Sequence, residues 1–449
     1  MTVARLFGTD GIRGIAGREP ITPETGLRLG RALARFLDRR NLNKEVVVGQ
    51  DTRASGDMLA HAVASGVASG GGNALMAGVI PTPGVAFLAR DRKAGAGVVI
   101  SASHNPHEYN GFKLFSGQGF KLSEPEESEM EDLILSPESE MSAELPGSIL
   151  NLPDTQDRYV AFLKQQVSPL NLHGMSVVLD CANGAAHKAA PTLFASLGAR
   201  TEVLFADPDG RNINAGCGSQ HTEALARKVV QGRAELGLAF DGDADRLTAV
   251  DEKGNTLTGD QVLVICARML KEKQALSGNL LVSTVMSNVG LKSALGEAGI
   301  AWEATGVGDR LVVEAMRARG ASLGGEESGH IVFLDHHTTG DGLLSALMVV
   351  NALKHFGRPL SVLADFMRVF PQVLLNVPVR EKPEISKVRG ISEAVEAAEK
   401  ALGDRGRVLV RYSGTEPLCR IMVEGENAEE IKGHAADIAH AVKEAIGNP

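Results

Sequence analysis

Short apolar runs rich in β-branched residues, each closed by a polar or glycine-containing loop, recur at residues 46–49, 98–100, 177–179 and 280–282. Stretches with a helical period separate them, so the pattern predicts βα units on mostly parallel, buried strands. Ligands of such sheets bind beyond the carboxyl ends of the strands, which directs attention to the polar loops. The segments VVVGQDTR from Val46, VVLDCANG from Val177 and LVSTVMSN from Leu281 hint at three related α/β units. After Pro371 the pattern changes to a strand over 373–379, a helix over 385–402, strands over 407–410 and 419–423, and a helix over 428–446. The short connections predict a small α+β domain with an antiparallel sheet.

A chain of 449 residues accommodates several domains at the ~150 residues typical of one. The expected boundaries are 1–153, 154–254, 255–370 and 371–449. Positions 124–144 hold nine acidic residues and no Lys or Arg, equal to the whole formal net charge of −9. This run is expected to be a solvated surface excursion closing the first domain. The remainder is close to neutral and aromatic residues are only 4%, which argues against a nucleic-acid partner. No apolar run approaches the ~20 residues that span a bilayer, and no signal-peptide stretch opens the chain. A cytoplasmic protein without a membrane partner is therefore expected. Cys181, Cys217, Cys266 and Cys419 are scattered without a CxxC pair, so neither disulfides nor a cysteine zinc site is indicated.

Four loops carry candidate chemistry. Asp241-Gly-Asp-Ala-Asp245 sets three carboxylates at alternate positions after the apolar run 236–240, so an extended chain would point them one way. Three like charges that close call for a cation, and hard oxygen ligands suit magnesium or calcium. An EF-hand fails despite Glu252 at its twelfth position, because Arg246 stands where it needs glycine and the flanks read as strands. Ser101-Ala-Ser-His-Asn-Pro-His107 follows the run 98–100 and offers Ser101, Ser103 and His104. A Ser-His-Asp hydrolase is disfavoured, since no G-x-S-x-G elbow is present and neighbouring residues of an extended chain point apart. A serine that carries a phosphoryl group beside a metal fits better, because that transfer needs positioning and charge neutralisation more than a strong base. Lys113 nearby could supply proton transfer or charge.

The third loop, from Arg411 to Pro417, combines Arg411, Ser413 and Thr415 around Gly414, with Arg420 shortly after, as an anion site requires. The fourth gathers Glu326, Glu327, Ser328 and His330 between glycines, partners suited to vicinal sugar hydroxyls. His336 and His337 read as ordinary surface histidines. Two further glycine-rich segments offer Arg13 and Arg310 but match neither Walker A nor GxGxxG. An enzyme that moves phosphate without a nucleotide must draw it from itself or from its substrate.

In this order, Ser-Ala-Ser-His-Asn-Pro, Asp-Gly-Asp-Ala-Asp-Arg, Gly-Glu-Glu-Ser-Gly-His and Arg-Tyr-Ser-Gly-Thr-Glu-Pro resemble the α-D-phosphohexomutase superfamily over essentially the whole chain. The resemblance implies three related α/β domains with mixed, mainly parallel sheets and a smaller C-terminal α+β domain, arranged around a central cleft. It implies an isomerase in which Ser103 is phosphorylated and Ser103, Asp241, Asp243 and Asp245 hold one Mg²⁺. Arg13, His104, Lys113, Arg246 and His330 would serve proton transfer and charge support. Glu326, Ser328, Arg310, Arg411, Ser413, Gly414, Thr415 and Arg420 would contact the substrate. A hexosamine 1,6-bisphosphate would be the intermediate and a small sugar phosphate the partner, with a homodimer left open. Glu327 stands where members acting on amino sugars often carry Gln, so uncharged hexose phosphates stay open as substrates. Two alternatives of another class are a metal-dependent sugar phosphatase and a non-catalytic sugar-phosphate binder.

Overall fold

The computed structural model describes residues 6–8, 10–136, 143–413 and 417–447. In it the apolar runs become β2 (Glu45–Gln50), β4 (Ala96–Ile100), β7 (Ser176–Asp180) and β11 (Leu280–Thr284). β2 lies between β3 (Asn73–Val79) and β4, both parallel to it, and β4 pairs antiparallel with β5 (Tyr109–Ser116). β7 lies in the same way between β8 (Arg200–Leu204) and β9 (Leu236–Phe240), with β10 (Leu247–Asp251) antiparallel to β9. β11 lies between β12 (Ala301–Thr305) and β13 (Leu323–Gly325), with β14 (Ile331–Phe333) antiparallel to β13. One four-strand order, three parallel strands closed by an antiparallel fourth, is thus used three times. The first sheet extends it with β1 (Ile12–Ile15) beside β5 and β6 (Ile149–Asn151) beside β3.

This repetition positions the chemistry. In each sheet the loop from the third to the fourth strand leaves the carboxyl end of a buried parallel strand and returns at once. The serine loop occupies that place between β4 and β5, the aspartate loop between β9 and β10, and the Glu326–His330 loop between β13 and β14. Residues 46–53, 177–184 and 281–288 correspond instead to the first strand of each unit and the loop that follows it.

The acidic run departs from expectation. Its first part is helix α4 (Glu124–Leu135), started by a reciprocal capping box between Ser123 and Glu126, with acidic residues in the first turn where the helix dipole favours them. Met130, Leu133 and Ile134, spaced three and four apart, join the core that contains α1 (Pro23–Arg39) and α2 (Gly56–Ser69). The charge on the other face masks this narrow apolar stripe in the sequence. Residues 137–142 lie outside the described residues. α1 and α2 pack backbone to backbone, since a Cβ at Gly30 would sit 2.2 Å from the Val63 carbonyl oxygen.

By its contacts the chain divides into Met1–Met286 with Ile300–Phe366, which holds the three α/β sheets, and Ser287–Gly299 with Met367–Pro449. The second unit is a three-stranded antiparallel sheet, β15 (Gln372–Pro378), β17 (Leu418–Gly425) and β16 (Gly406–Tyr412), with β17 central. Helices α13 (Arg389–Leu402) and α14 (Ala428–Ile446) share its core. Helix α9 (Val289–Glu297) belongs to this unit, because the buried Glu424 carboxylate gathers its lead-in segment. Asn288 Nδ2 donates to Glu424 Oε1 at 2.6 Å, and Arg407 Nη2 donates to Glu424 Oε2 at 2.8 Å and to the Ser287 carbonyl at 2.9 Å. No helix among the described residues is long and apolar enough to cross a membrane, and all four cysteines are buried free thiols.

His337 is not a surface histidine. It is fully buried, its Nε2 lies 3.0 Å from the Pro83 carbonyl, and its Nδ1 accepts from the Thr338 N–H at 2.7 Å. One ring nitrogen donates and the other accepts, so the neutral tautomer is satisfied and protonation would break a bond. Burial, aided by Arg90, pushes its pKa down to about 3, against ~6.5 in the unfolded chain. The unfolded state therefore binds the extra proton, and the stability this residue contributes is full above pH ~6.5 and is lost as pH falls toward 3. The His337 ring C–H resonances should not shift between pH 8 and 5. A titration midpoint near 6.5 would contradict the burial.

Candidate active site

The serine loop is held from behind by a buried ion pair. Asp51 and Arg53 follow β2 at its carboxyl end, with Arg53 Nε 2.8 Å from Asp51 Oδ2 and both side chains fully buried. The guanidinium then donates to the loop's carbonyl oxygens: Nη2 to Ser103 at 3.0 Å and Asn105 at 2.8 Å, Nη1 to Tyr109 at 3.0 Å and to Pro106. Asp51 Oδ2 also accepts from Ser101 Oγ at 2.6 Å, and Ser101 Oγ accepts from the Ser103 N–H at 2.9 Å. Ser101 is thus committed to the scaffold, which leaves Ser103 as the hydroxyl that faces the acidic loop.

Ser103 adopts a left-handed backbone, φ 54°, at a cost on the order of 1 kcal/mol that the surrounding bonds must offset. The turn overrides the expectation that extended neighbours point apart: Ser103 Oγ and His104 Nδ1 are 3.4 Å from one another. Ser103 Oγ donates to Asp241 Oδ2 at 2.6 Å. The aspartate loop also differs from the extended form that the alternate spacing suggested. It is a turn with Ala244 at φ 56° and the Ala244 N–H bonded to the Asp241 carbonyl at 3.0 Å, and curvature makes the three carboxylates converge. Gly242 lets the loops meet, since a Cβ there would lie 2.6 Å from the Ser103 carbonyl oxygen.

Asp241, Asp243 and Asp245 are buried, and one oxygen from each lies within 4.8 Å of the others. Lys113, buried on β5, takes up one oxygen of two of them, its Nζ donating to Asp243 Oδ2 at 2.8 Å and Asp245 Oδ2 at 3.0 Å. Thr82 Oγ1 also donates to Asp243 Oδ2, at 2.5 Å. The sister atoms Asp243 Oδ1 and Asp245 Oδ1 are buried without a hydrogen-bond donor among the described residues. Orphaned, convergent, hard oxygens fit a divalent cation such as Mg²⁺. Burial, then repulsion from Asp245 and Asp243, raises the Asp241 pKa well above its usual value. Burial would raise Asp245 as well, but Lys113 and His330 hold it well below.

A chain of opposite charges links this cluster to other loops. Lys113 Nζ is 3.1 Å from Asp10 Oδ2, Asp10 also pairs with Arg13 and Lys121, and Lys121 pairs with Asp309. His330 closes the circuit, with Nε2 3.4 Å from Asp309 Oδ2 and Nδ1 3.7 Å from Asp245 Oδ1. Despite its burial, Asp10, Asp243 and Asp245 hold the Lys113 ammonium well above its usual pKa, so Lys113 is a standing charge. Burial, then Arg246 and Arg13, pushes His104 down to about 4, which leaves its imidazole neutral. Arg246 donates its backbone N–H to Asp241 Oδ1 at 3.2 Å, and its side chain lies near Asp245, with Nε 3.9 Å from Oδ1. Ser103, His104, Lys113, Arg13, Arg246 and His330 are therefore joined to one network with the three aspartates.

The predicted sugar contacts are arranged differently. Glu326 Oε1 accepts from the Gly308 N–H at 3.3 Å, Ser328 is exposed at the loop's tip, and Arg310 Nη1 is engaged by Glu127 Oε2 at 2.5 Å. In the second unit, Arg411 and Arg420 stand directly opposite each other across β16 and β17. Like charges in that register repel unless an anion lies over them. The Ser413 N–H bonds to the Leu418 carbonyl at 2.9 Å, closing the hairpin. Gly414 and Thr415 lie outside the described residues. The sequence did not single out Asp10, Asp51, Arg53, Lys121, Asn214 or Asp309. A carboxylate and a guanidinium two residues apart beyond β2 were the visible signal for Asp51 and Arg53.

A buried hydroxyl aimed into a carboxylate cluster beside cationic side chains, on three repeated α/β units, is an arrangement suited to phosphoryl transfer. The chain matches the phosphoglucomutase/phosphomannomutase family in all its parts: alpha/beta/alpha domain I over residues 4–141, domain II over 157–254, domain III over 258–370 and the C-terminal domain over 374–441. It is 51% identical over 451 residues to a phosphoglucosamine mutase of Syntrophus aciditrophicus (strain SB), covering 99% of this chain and 100% of that one. It is 50% identical to a phosphoglucosamine mutase of Syntrophobacter fumaroxidans over 98% and 99% of the two chains. Among solved structures, a phosphoglucomutase/phosphomannomutase family protein of Burkholderia thailandensis superposes with a TM-score of 0.83 at 25% identity, covering 99% of this chain and 98% of that one. The N-acetylphosphoglucosamine mutase of Aspergillus fumigatus, solved with GlcNAc-6P and magnesium, has the same fold at a TM-score of 0.70 and 18% identity, over 99% and 96%. The chain belongs to the phosphoglucomutase/phosphomannomutase family of the α-D-phosphohexomutase superfamily and is an isomerase of that class.

Burial and like-charge repulsion raise the Asp241 pKa, and a cation entering the triad would lower it, so binding should displace proton from Asp241. Mg²⁺ titrated into unphosphorylated protein at pH 6 should release protons, read by calorimetry as a heat that depends on the buffer's ionisation enthalpy. Asp243→Asn should weaken Mg²⁺ binding at least about tenfold, ~1.4 kcal/mol. A buffer-independent heat would show that Asp241 is already ionised.

Proposed function

We propose that this chain acts as a phosphoglucosamine mutase, interconverting glucosamine 6-phosphate and glucosamine 1-phosphate in the cytoplasm and so supplying amino-sugar precursors for cell-wall synthesis. The observation that carries the mechanism is the buried Ser103 hydroxyl, 2.6 Å from one carboxylate of a convergent triad. The choice of sugar is supported by relatives 47–51% identical over nearly the whole chain that are named phosphoglucosamine mutases.

In the first half-reaction the bond from phosphorus to Ser103 Oγ breaks as one forms to the sugar's free hydroxyl oxygen. The hydroxyl proton passes to a neighbouring base, with His104, 3.4 Å from Ser103 Oγ, the candidate by position, and the serine oxygen regains a proton. The hexosamine 1,6-bisphosphate so formed reverses end for end, and Ser103 takes the other phosphate while the sugar oxygen is reprotonated. Nothing is hydrolysed. Asp241, Asp243 and Asp245, with Ser103, would hold Mg²⁺, which when bound offsets the negative charge of phosphoryl oxygens. Lys113 and Arg246 add fixed positive charge, and such preorganised electrostatics is what a loose phosphoryl transition state needs most. Arg13 and His330 complete the network. Arg411, Ser413, Gly414, Thr415 and Arg420 would grip the non-reacting phosphate, and Glu326 and Ser328 the sugar hydroxyls. Arg310 would do so after leaving Glu127.

Incubation with glucosamine 6-phosphate, glucose 6-phosphate and mannose 6-phosphate, each with a trace of its bisphosphate, should give the highest kcat/KM for the amino sugar. A preference for glucose or mannose would make the chain a phosphoglucomutase or phosphomannomutase, and release of inorganic phosphate would make it a phosphatase. Ser103→Ala should carry no phosphate by intact mass and lose at least ~10³-fold in kcat. Arg411→Gln should raise KM about tenfold, as loss of a charged phosphate contact implies, and leave Ser103 phosphorylation intact.

A further inference from the structure

The left-handed serine is clamped from two sides, by Arg53 and by Asn214. Asn214 lies in the polar loop between β8 and helix α7 (Glu223–Gly232), in the second α/β unit. Its Nδ2 donates to the Ser103 carbonyl at 2.9 Å and to the Asn105 carbonyl at 3.1 Å. These are the same two oxygens that Arg53 Nη2 reaches from the first unit. Asn214 is itself left-handed, φ 58°, and its N–H is fixed to the Ala182 carbonyl at 2.9 Å. Its amide is thus anchored to the sheet that carries the aspartate loop.

We infer that Asn214 is a positioning residue: its side-chain amide ties the Ser103 peptide to the second α/β sheet and so sets the approach of Ser103 Oγ to Asp241. Gly242 is wedged at this junction, where a Cβ would be 2.6 Å from the Ser103 carbonyl oxygen and 2.8 Å from Asn214 Nδ2. Moving the amide therefore moves the serine carbonyl and the first aspartate against each other. Packing alone does not fix the loop. A cavity of about 190 Å³ lined by His104, Pro106, His107, Asn214, Cys217 and His221 lies against it and gives the peptide room to turn outward. Arg53 cannot be separated from its ion pair with Asp51, so the Asn214 amide is the part of the clamp that can be removed cleanly.

The inference rests on Ser103 as the phosphoryl carrier, and the experiment separates the two. Asn214→Gly removes the amide and tolerates the left-handed backbone, and Asn214→Asp keeps the shape but aims an acceptor at two carbonyls. Both should lower kcat for glucosamine 6-phosphate about ten- to a hundredfold, as a displacement of roughly 1 Å does. KM should stay within about threefold, because no substrate contact is lost. The rate of Ser103 phosphorylation by the hexose bisphosphate should fall in parallel, with the melting temperature retained. A kcat within twofold of wild type in both variants overturns the inference, as does a loss of activity that only follows a lost fold. If Ser103→Ala runs at the wild-type rate, the carrier role itself falls. If Ser103→Ala is dead while both Asn214 variants are unimpaired, only the positioning role falls.

Discussion

The site depends on keeping four oxygen-bearing side chains, Ser103, Asp241, Asp243 and Asp245, together and away from water. Three carboxylates at this spacing repel strongly in a buried setting. The fold offsets that repulsion with Lys113, one of the largest fully buried side chains, whose ammonium bridges two of the aspartates and Asp10. What Lys113 leaves over are Asp243 Oδ1 and Asp245 Oδ1, buried without a hydrogen-bond donor among the described residues. Convergent buried carboxylate oxygens of this kind could hold a divalent cation beside the Ser103 hydroxyl.

Bringing those oxygens together requires two loops from two sheets, and the repeated topology makes this possible. Each α/β unit turns from its third parallel strand into an antiparallel fourth, and each spends that turn on one functional loop. The serine and aspartate loops approach backbone to backbone at Gly242, and the Glu326–His330 loop joins them through His330. In the second unit a hairpin plays the corresponding part, with Arg411 and Arg420 in register across two strands. One structural device, a loop at the end of a buried strand, thus carries the serine, the aspartate trio and the Glu326–His330 cluster in turn, while Arg411 and Arg420 sit on a hairpin.

The scaffold behind the loops is as specialised as their tips. A buried guanidinium with five carbonyl and carboxylate partners is costly to assemble and severely destabilising to halve, ~3–5 kcal/mol for loss of one partner of such a pair. Its use on a left-handed serine indicates that the serine's exact direction matters, since positioning is where phosphoryl-transfer enzymes gain most.

The sequence by itself determined the class of fold, the four loops and the kind of chemistry each could carry, because strand periodicity and a loop's residue types are local properties. The aspartate triad, Ser103 and the C-terminal strands and helices are legible for that reason. Only the tertiary structure decided that the triad converges through a turn, that Ser103 is left-handed, that 124–135 is a core-packed helix and that His337 is buried. It also brought in Asp10, Asp51, Arg53, Lys121 and Asn214, whose partners lie as many as 188 residues away in the chain, the separation of Lys121 and Asp309. Contacts between segments that far apart are set by how sheets pack, and no local pattern of hydrophobic and polar positions encodes them.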